Sequence, residues 1–127
     1  MKRLIPWLGA AVMLLSGCAA GGGSDFRQAS AEEAKQMMDS EENYIILDVR
    51  TEAEFAEKHI PGAICIPNET IGGEAPEALP EKEQLILVYC RSGNRSKQAA
   101  GKLAKLGYTN LVEIGGINSW TGVLESA

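Results

Sequence analysis

Apolar positions in this chain fall into short blocks of two spacings. Tyr44 to Val49, apolar except for Asp48, and Leu85 to Tyr89 are runs of strand length, Ala63 to Ile66 is a shorter run of the same kind, and Leu111 to Ile114, apolar except for Glu113, reads as a last strand. Between them the spacing turns helical. Ser30 with Glu33 forms a capping box that opens a helix carrying Ala34, Met37 and Met38 on one side and closing at Asp39-Ser40. Thr51 with Glu54 opens a second, short helix that the Pro61-Gly62 pair stops. A third follows Leu85 to Tyr89 after a polar loop and ends at Gly107, the usual C-terminal glycine position. A short strand near Phe26, a helical turn within residues 67 to 84 and a final short helix around Trp120 complete the reading. Uninterrupted apolar strands alternating with helices predict a parallel sheet covered on both faces. Ligand sites in such sheets lie beyond the carboxyl ends of the strands, and Cys90 sits at one of those ends.

The first residues do not follow this pattern. Lys2 and Arg3 precede an apolar run from Leu4 to Leu15, which reads as the n-region and h-region of an export signal and is shorter than the ~20 residues a membrane-spanning helix needs. Leu15-Ser16-Gly17-Cys18 resembles the lipobox of bacterial lipoproteins, which implies cleavage before Cys18 and lipid on its thiol, with ordinary cleavage near the adjacent alanines as the alternative. The expected organisation is a signal peptide over 1–17, a lipidated cysteine and Gly-rich tether over 18–24, and one domain over 25–127. The domain would then be extracytoplasmic and held at a bacterial membrane by its anchor.

Charge sharpens the picture. Without Lys2 and Arg3, ten basic residues remain against 17 acidic, a net charge of −7, which argues against nucleic acid as a partner. From Gln84 to Val112 there is no Asp or Glu, while Arg91, Arg95, Lys97, Lys102 and Lys105 supply half of those basic residues. The lysines have helical spacing and read as a solvated face. The two arginines share a loop with Cys90. Backbone N–H groups of a Gly-containing loop at a helix start form a nest for negative charge. A thiolate would fill it: lowering a thiol from ~8.5 to ~6.5 takes about 2.7 kcal/mol, and each hydrogen bond to a charged group supplies ~1.5–3 kcal/mol. Cys90 is therefore the candidate nucleophile, needing no histidine base. His59 is the only histidine, and without a CxxC motif a zinc site has little support.

At this point the residues resemble a known family. Cys90-Arg91-Ser92-Gly93-Asn94-Arg95-Ser96 is similar to the active-site loop of rhodanese-like sulfurtransferases. Ile46-Leu47-Asp48-Val49-Arg50, Glu54-Phe55, His59-Ile60-Pro61-Gly62-Ala63, Ile66-Pro67 and Gly115-Gly116 with Trp120 follow the family's pattern in order. The resemblance implies an α/β, three-layer fold with a central, mostly parallel, five-stranded sheet and helices on both faces. It also implies that Cys90 carries a sulfane sulfur as a persulfide from a small sulfur-containing anion such as thiosulfate to a thiol, cyanide or protein acceptor, without cofactor or metal. Residue by residue, it places the backbone of Arg91, Ser92, Gly93, Asn94, Arg95 and Ser96 around the sulfur. Arg91 and Arg95 would orient an anionic donor, Asp48 with Arg50 would support the site or form a structural ion pair, and His59, which matches a turn residue, would be structural. Lys58, where the family usually has glycine, and the Glu-rich 67–84 connection depart from the pattern and leave the rim of the pocket undefined.

Three alternatives accompany that reading. A cysteine phosphatase shares the anion-binding logic but uses Cys-x5-Arg, whereas Cys90 to Arg95 is Cys-x4-Arg, a smaller ring suited to one sulfur. A persulfide carrier serving a dedicated partner, with little turnover, has the same loop sequence. A redox pair of Cys65 and Cys90 is open outside the cytoplasm, although Cys65, inside Ile64-Cys65-Ile66, reads better as a buried, inert thiol.

Overall fold

A computed structural model describes residues 25–127; the signal, Cys18 and the tether expected over residues 1–24 lie outside the described residues. The elements in chain order are β1 (Arg27–Gln28), α1 (Ala31–Ser40), β2 (Tyr44–Asp48), α2 (Glu52–Glu57), β3 (Ile64–Cys65), β4 (Leu85–Cys90), α3 (Asn94–Lys105) and β5 (Leu111–Gly116). Single 3-10 turns cover Asn68–Thr70 and Ile117–Ser119. The strands form one five-stranded sheet in the order β1, β5, β4, β2, β3, and every pairing is parallel. The expected α/β architecture is present, with β4 at the centre.

Both capping boxes form. The Ser30 and Thr51 hydroxyls accept the N–H groups of Glu33 and Glu54, whose carboxylates accept the N–H groups of Ser30 and Thr51 in return. Helix α2 stops earlier than the Pro61-Gly62 signal predicts. Lys58 is already extended, and His59 makes a reciprocal antiparallel bridge with Glu125, at 2.8 and 2.9 Å, that no helical residue could make. The strand expected over Ala63 to Ile66 is likewise reduced to Ile64–Cys65.

The period-2 alternation of β4 builds two cores. Ile86, Val88 and Cys90 face Ala99 and Leu103 of α3, while Leu85, Leu87 and Tyr89 face the side covered by Ala34, Met37 and Met38 of α1. Every residue of β4 is buried, as a central strand covered on both faces must be. Trp120 follows the last 3-10 turn and packs on the α1 side, half-buried, so the expected final helix is a single turn. This packing fixes the carboxyl end of β4, and with it Cys90, against the start of α3.

Candidate active site

Cys90 closes β4 and is 1% exposed. Ser92 and Gly93 turn the chain into α3. Gly93 has φ +111°, a left-handed conformation in which a Cβ is strained, and that turn points its N–H at Cys90 Sγ, 2.9 Å away. The Ser96 hydroxyl lies 3.5 Å from the same sulfur. Burial pushes the thiol pKa up, but hydrogen bonding with the Ser96 side chain and from the backbone N–H groups of Ser96, Gly93 and Ser92 outweighs it and holds the thiol below its ordinary value. The nest inferred from composition is thus present in geometry: a sulfur sunk in a ring of N–H donors at a helix N-terminus.

A second glycine closes the loop from β5. At Gly116 an added Cβ would meet Arg91 O at 2.0 Å and Ser92 Cα at 2.6 Å, so only a residue without a side chain lets β5 approach. The N–H of Asn118 then donates to Arg91 O at 3.2 Å. The Gly115-Gly116 pair is the wall against which the cysteine loop is formed.

The arginines separate. Arg95 donates to both oxygens of Glu54 at 2.9 and 3.3 Å, so the anion it faces is already supplied by α2. That pairing, followed by the Thr51 N–H, pulls the Glu54 carboxyl down to about 2. Arg50 is buried and gives a forked set of bonds to Asp48, at 2.7 to 3.1 Å, plus one to Lys58 O, which makes this pair a clamp between β2 and the residue after α2. Arg91 is exposed, and among the described residues it makes no ion pair. It borders a cleft of about 240 Å³ together with Arg50, Lys58, Asn118 and Leu124, with Glu54 and Glu57 on the same rim. Asn94 opens α3 without bonding the sulfur.

His59 has both ring nitrogens occupied, Nδ1 with Phe55 O at 2.7 Å and Nε2 with Glu125 at 3.2 Å, and stacks on Phe55, as its structural reading requires. Burial, with Asp48 and Glu52 adding, pushes the Cys65 thiol up to about 11. Cys65 pairs with Asp48, and Asp48 with Tyr89, so a whole strand separates the two thiols. Two strand spacings are roughly 9–10 Å, beyond the ~4.4–6.8 Å between Cα atoms that a disulfide spans, and both cysteines are free. Among the described residues, no three His, Cys, Asp or Glu side chains gather as a metal site would need. One member of the site escaped the sequence reading: Glu113 of β5, 2% exposed, accepts from the Ser96 hydroxyl and from Gly115 N–H at 2.8 Å.

Comparison with known proteins meets this geometry from the other side. The profile of the rhodanese-like domain matches residues 30–122. The chain belongs to the rhodanese-like domain family. Thiosulfate sulfurtransferase PspE of Escherichia coli is 35% identical over 71 residues, covering 56% of this chain and 68% of PspE. YrkF of Bacillus subtilis, a protein named as a sulfur carrier, is 37% identical over 103 residues, which are 80% of this chain but 55% of YrkF, so the chain spans about half of that relative. Among solved structures, an E. coli rhodanese determined with anions superposes with a TM-score of 0.61 at 30% identity, covering 66% of this chain and 99% of that one. A rhodanese-like domain protein of Staphylococcus aureus superposes at 0.68 and 29% identity, over 80% and 99%. The family's relatives are thus named for moving or carrying sulfur, and the rhodanese-like fold is common to them and to this chain.

Proposed function

We propose that this rhodanese-like domain is a sulfurtransferase whose Cys90 thiolate takes a sulfane sulfur from thiosulfate or a persulfide and passes it to a thiol or cyanide. The observation that carries the reading is the Gly93 N–H aimed at a buried Cys90 Sγ inside a loop of backbone donors, with the thiol held below its ordinary pKa. In the first half-reaction the thiolate attacks the outer sulfur of thiosulfate, the S–S bond breaks, and sulfite leaves with the bonding pair. Cys90 is left as a persulfide anion in the nest. In the second, an acceptor thiolate attacks the outer sulfur and the Cys90 thiolate is regenerated. Backbone donors suit both anions, since they stabilise negative charge without titrating. Arg91, without an ion pair among the described residues, is the arginine left on the cleft for an anionic donor, with Lys58 as a second unpaired cation there.

The deciding experiment is the intact mass of the full-length protein, solubilised in detergent, before and after incubation with thiosulfate, beside Cys90→Ser. A gain of one sulfur atom that cyanide reverses and the mutant lacks is expected; no gain in either protein would sink the donor assignment. A second reading, a persulfide carrier for a dedicated protein partner, is favoured by the Arg95–Glu54 pairing, which leaves a single free arginine for a small dianion. Saturating turnover with thiosulfate would decide against it.

The lipid anchor on Cys18, and with it an extracytoplasmic position, belongs to the same proposal. Its support is the sequence from Lys2 to Cys18. Cys18→Ser should move the protein out of the membrane fraction; an unchanged distribution would overturn the anchor.

A further inference from the structure

Glu113 and Asp48 are the buried carboxylates among the described residues. Asp48 has Arg50 against it, but Glu113 has no cation. Its donors are neutral: the Ser96 hydroxyl, Gly115 N–H at 2.8 Å and Gln28 Nε2 at 3.3 Å. This buried carboxylate, partnered only by neutral groups, stands a single hydroxyl away from the thiol of Cys90.

The Ser96 hydroxyl has one hydrogen to give. Four acceptors surround it: Glu113 Oε2, Gly93 O at 3.0 Å, Gly115 O at 3.4 Å and, once ionised, Cys90 Sγ at 3.5 Å. While Glu113 is a carboxylate, the hydrogen belongs to Glu113, and Ser96 turns lone pairs toward Cys90, where they can accept S–H. A thiolate at Cys90 needs the opposite arrangement, with Ser96 donating to sulfur. Both cannot hold together, and a thiolate and a carboxylate on either side of one hydroxyl would also repel.

We propose that Ser96 and Glu113 form a proton relay for Cys90, in which the thiol proton passes to Ser96 Oγ as the Ser96 hydroxyl proton passes to Glu113 Oε2. The S–H bond breaks as a new Oγ–H forms, and the old Oγ–H breaks as Oε2–H forms. Two protons each shift by one site, a net transfer of one from Cys90 to Glu113; no electrons change hands, and the trio keeps a single negative charge. Ser96 then donates to the thiolate and accepts from a neutral Glu113. The proposal rests on the reading of Cys90 as the sulfur-carrying nucleophile, and it gives that nucleophile a base that acts through a hydroxyl. In this role Glu113 is a positioning residue, since it touches neither donor nor sulfur.

The surroundings offer the proton a route to solvent. Glu113, Ser92, Gly93 and Lys97 border a groove open to solvent, which shares no residue with the cleft of Arg50 and Arg91. The charged groups facing the relay are few. From α1 Glu33 lines the groove, with one oxygen engaged at Ser30 N–H; from α3 Lys97 lines it with the opposite sign; from β1 Gln28 is neutral. On the sulfur side Arg95 acts on Cys90 while paired with Glu54. Thiol and carboxylate are therefore the pair that shares the proton.

The test is the pH dependence of Cys90 alkylation by iodoacetamide, with Cys65 accounted for by mass mapping, in the full-length protein and in Glu113→Gln. The wild type is expected to ionise in two steps separated by a plateau, because the first proton lost belongs to the pair and the second to whichever group retains it. Glu113→Gln, in which an amide replaces the proton acceptor, should lose the plateau and titrate as one group. Identical one-step profiles in both proteins would overturn the relay. Should Glu113→Gln fail to fold, infrared pH-difference spectra of the wild type and Cys90→Ser decide the matter. A carboxylic-acid band that persists to higher pH in the wild type than in Cys90→Ser supports the relay, and coincident bands refute it. Neither measurement requires sulfur transfer. A two-step profile in a protein that gains no sulfur from thiosulfate would retain the relay and discard the donor.

Discussion

Arg91 and Arg95 stand four positions apart, but only Arg91 lies in the loop where both were expected; Arg95 is in the first turn of α3, and their surroundings give them different work. Arg95 is held by Glu54, and its loss would release a carboxylate at the rim as well as a cation. Arg95→Ala is expected to lower unfolding free energy by about 1 kcal/mol, as loss of a half-buried pair does, and to disturb donor binding through the freed Glu54. Arg91→Ala should leave stability unchanged and raise KM for thiosulfate several-fold, with the persulfide still forming at high donor. Equal stability losses in the two variants, measured by urea denaturation, would refute the division. The same pair carries a pH signature. Glu54 has a folded pKa of about 2, below its unfolded value near ~4.3, so its contribution is fully present above the unfolded value and is lost as pH falls through the folded one. Urea midpoints should therefore decline between roughly pH 4.5 and 2, and less steeply in Glu54→Gln.

Among the elements, β5 shapes the cysteine loop most directly, because its Gly116 lies against the Arg91 carbonyl. Gly116→Ala places a methyl group where backbone already is, so either the loop or the strand must shift, at a cost of about 1–3 kcal/mol. The expected result is a lower urea midpoint together with a slower alkylation of Cys90, since a displaced loop no longer aims Gly93 N–H at the sulfur. Normal alkylation in a destabilised variant would show that the loop holds its form without the strand. The elements themselves were legible to different degrees. Both capping boxes and the apolar runs of β2 and β4 appear in local order and form as read. The end of α2 was not legible, because it is set by a backbone bridge from His59 to Glu125, 66 positions away, and no spacing in the chain announces that partner.

Across the whole molecule the same distinction governs the site. Cys90, Gly93 and Ser96 lie within seven positions, so their chemistry could be read from the loop alone. Glu113 joins them only because β5 lies beside β4, in a register that sets Val88 against Glu113. Its sole trace in the chain is a lone carboxylate inside the otherwise apolar run from Leu111 to Ile114, a break to which the strand reading gave no role. The Arg95–Glu54 pair likewise depends on α2 meeting the start of α3. A contact of long range also holds the opposite rim. Glu125 bridges His59, Ala127 N–H donates to Ala56 O at 3.0 Å, and Leu124 walls the cleft beside Arg91 and Lys58. The C-terminal strap thus anchors the helix that carries Glu54. Ending the chain after Leu124 removes three backbone hydrogen bonds and the carboxylate at His59. Each such bond contributes about 0.5–1.5 kcal/mol net, so the variant should unfold about 1–3 kcal/mol more easily, partial fraying of these outer bonds keeping the sum low. Cys90, on a central strand fixed by α3 and β5, should keep its alkylation profile, while KM for thiosulfate rises because Leu124, which lines the cleft, is no longer held in place by the bridge from Glu125 to His59. A changed profile at Cys90 with an unchanged KM would mean that the strap acts on the sulfur nest and not on the rim.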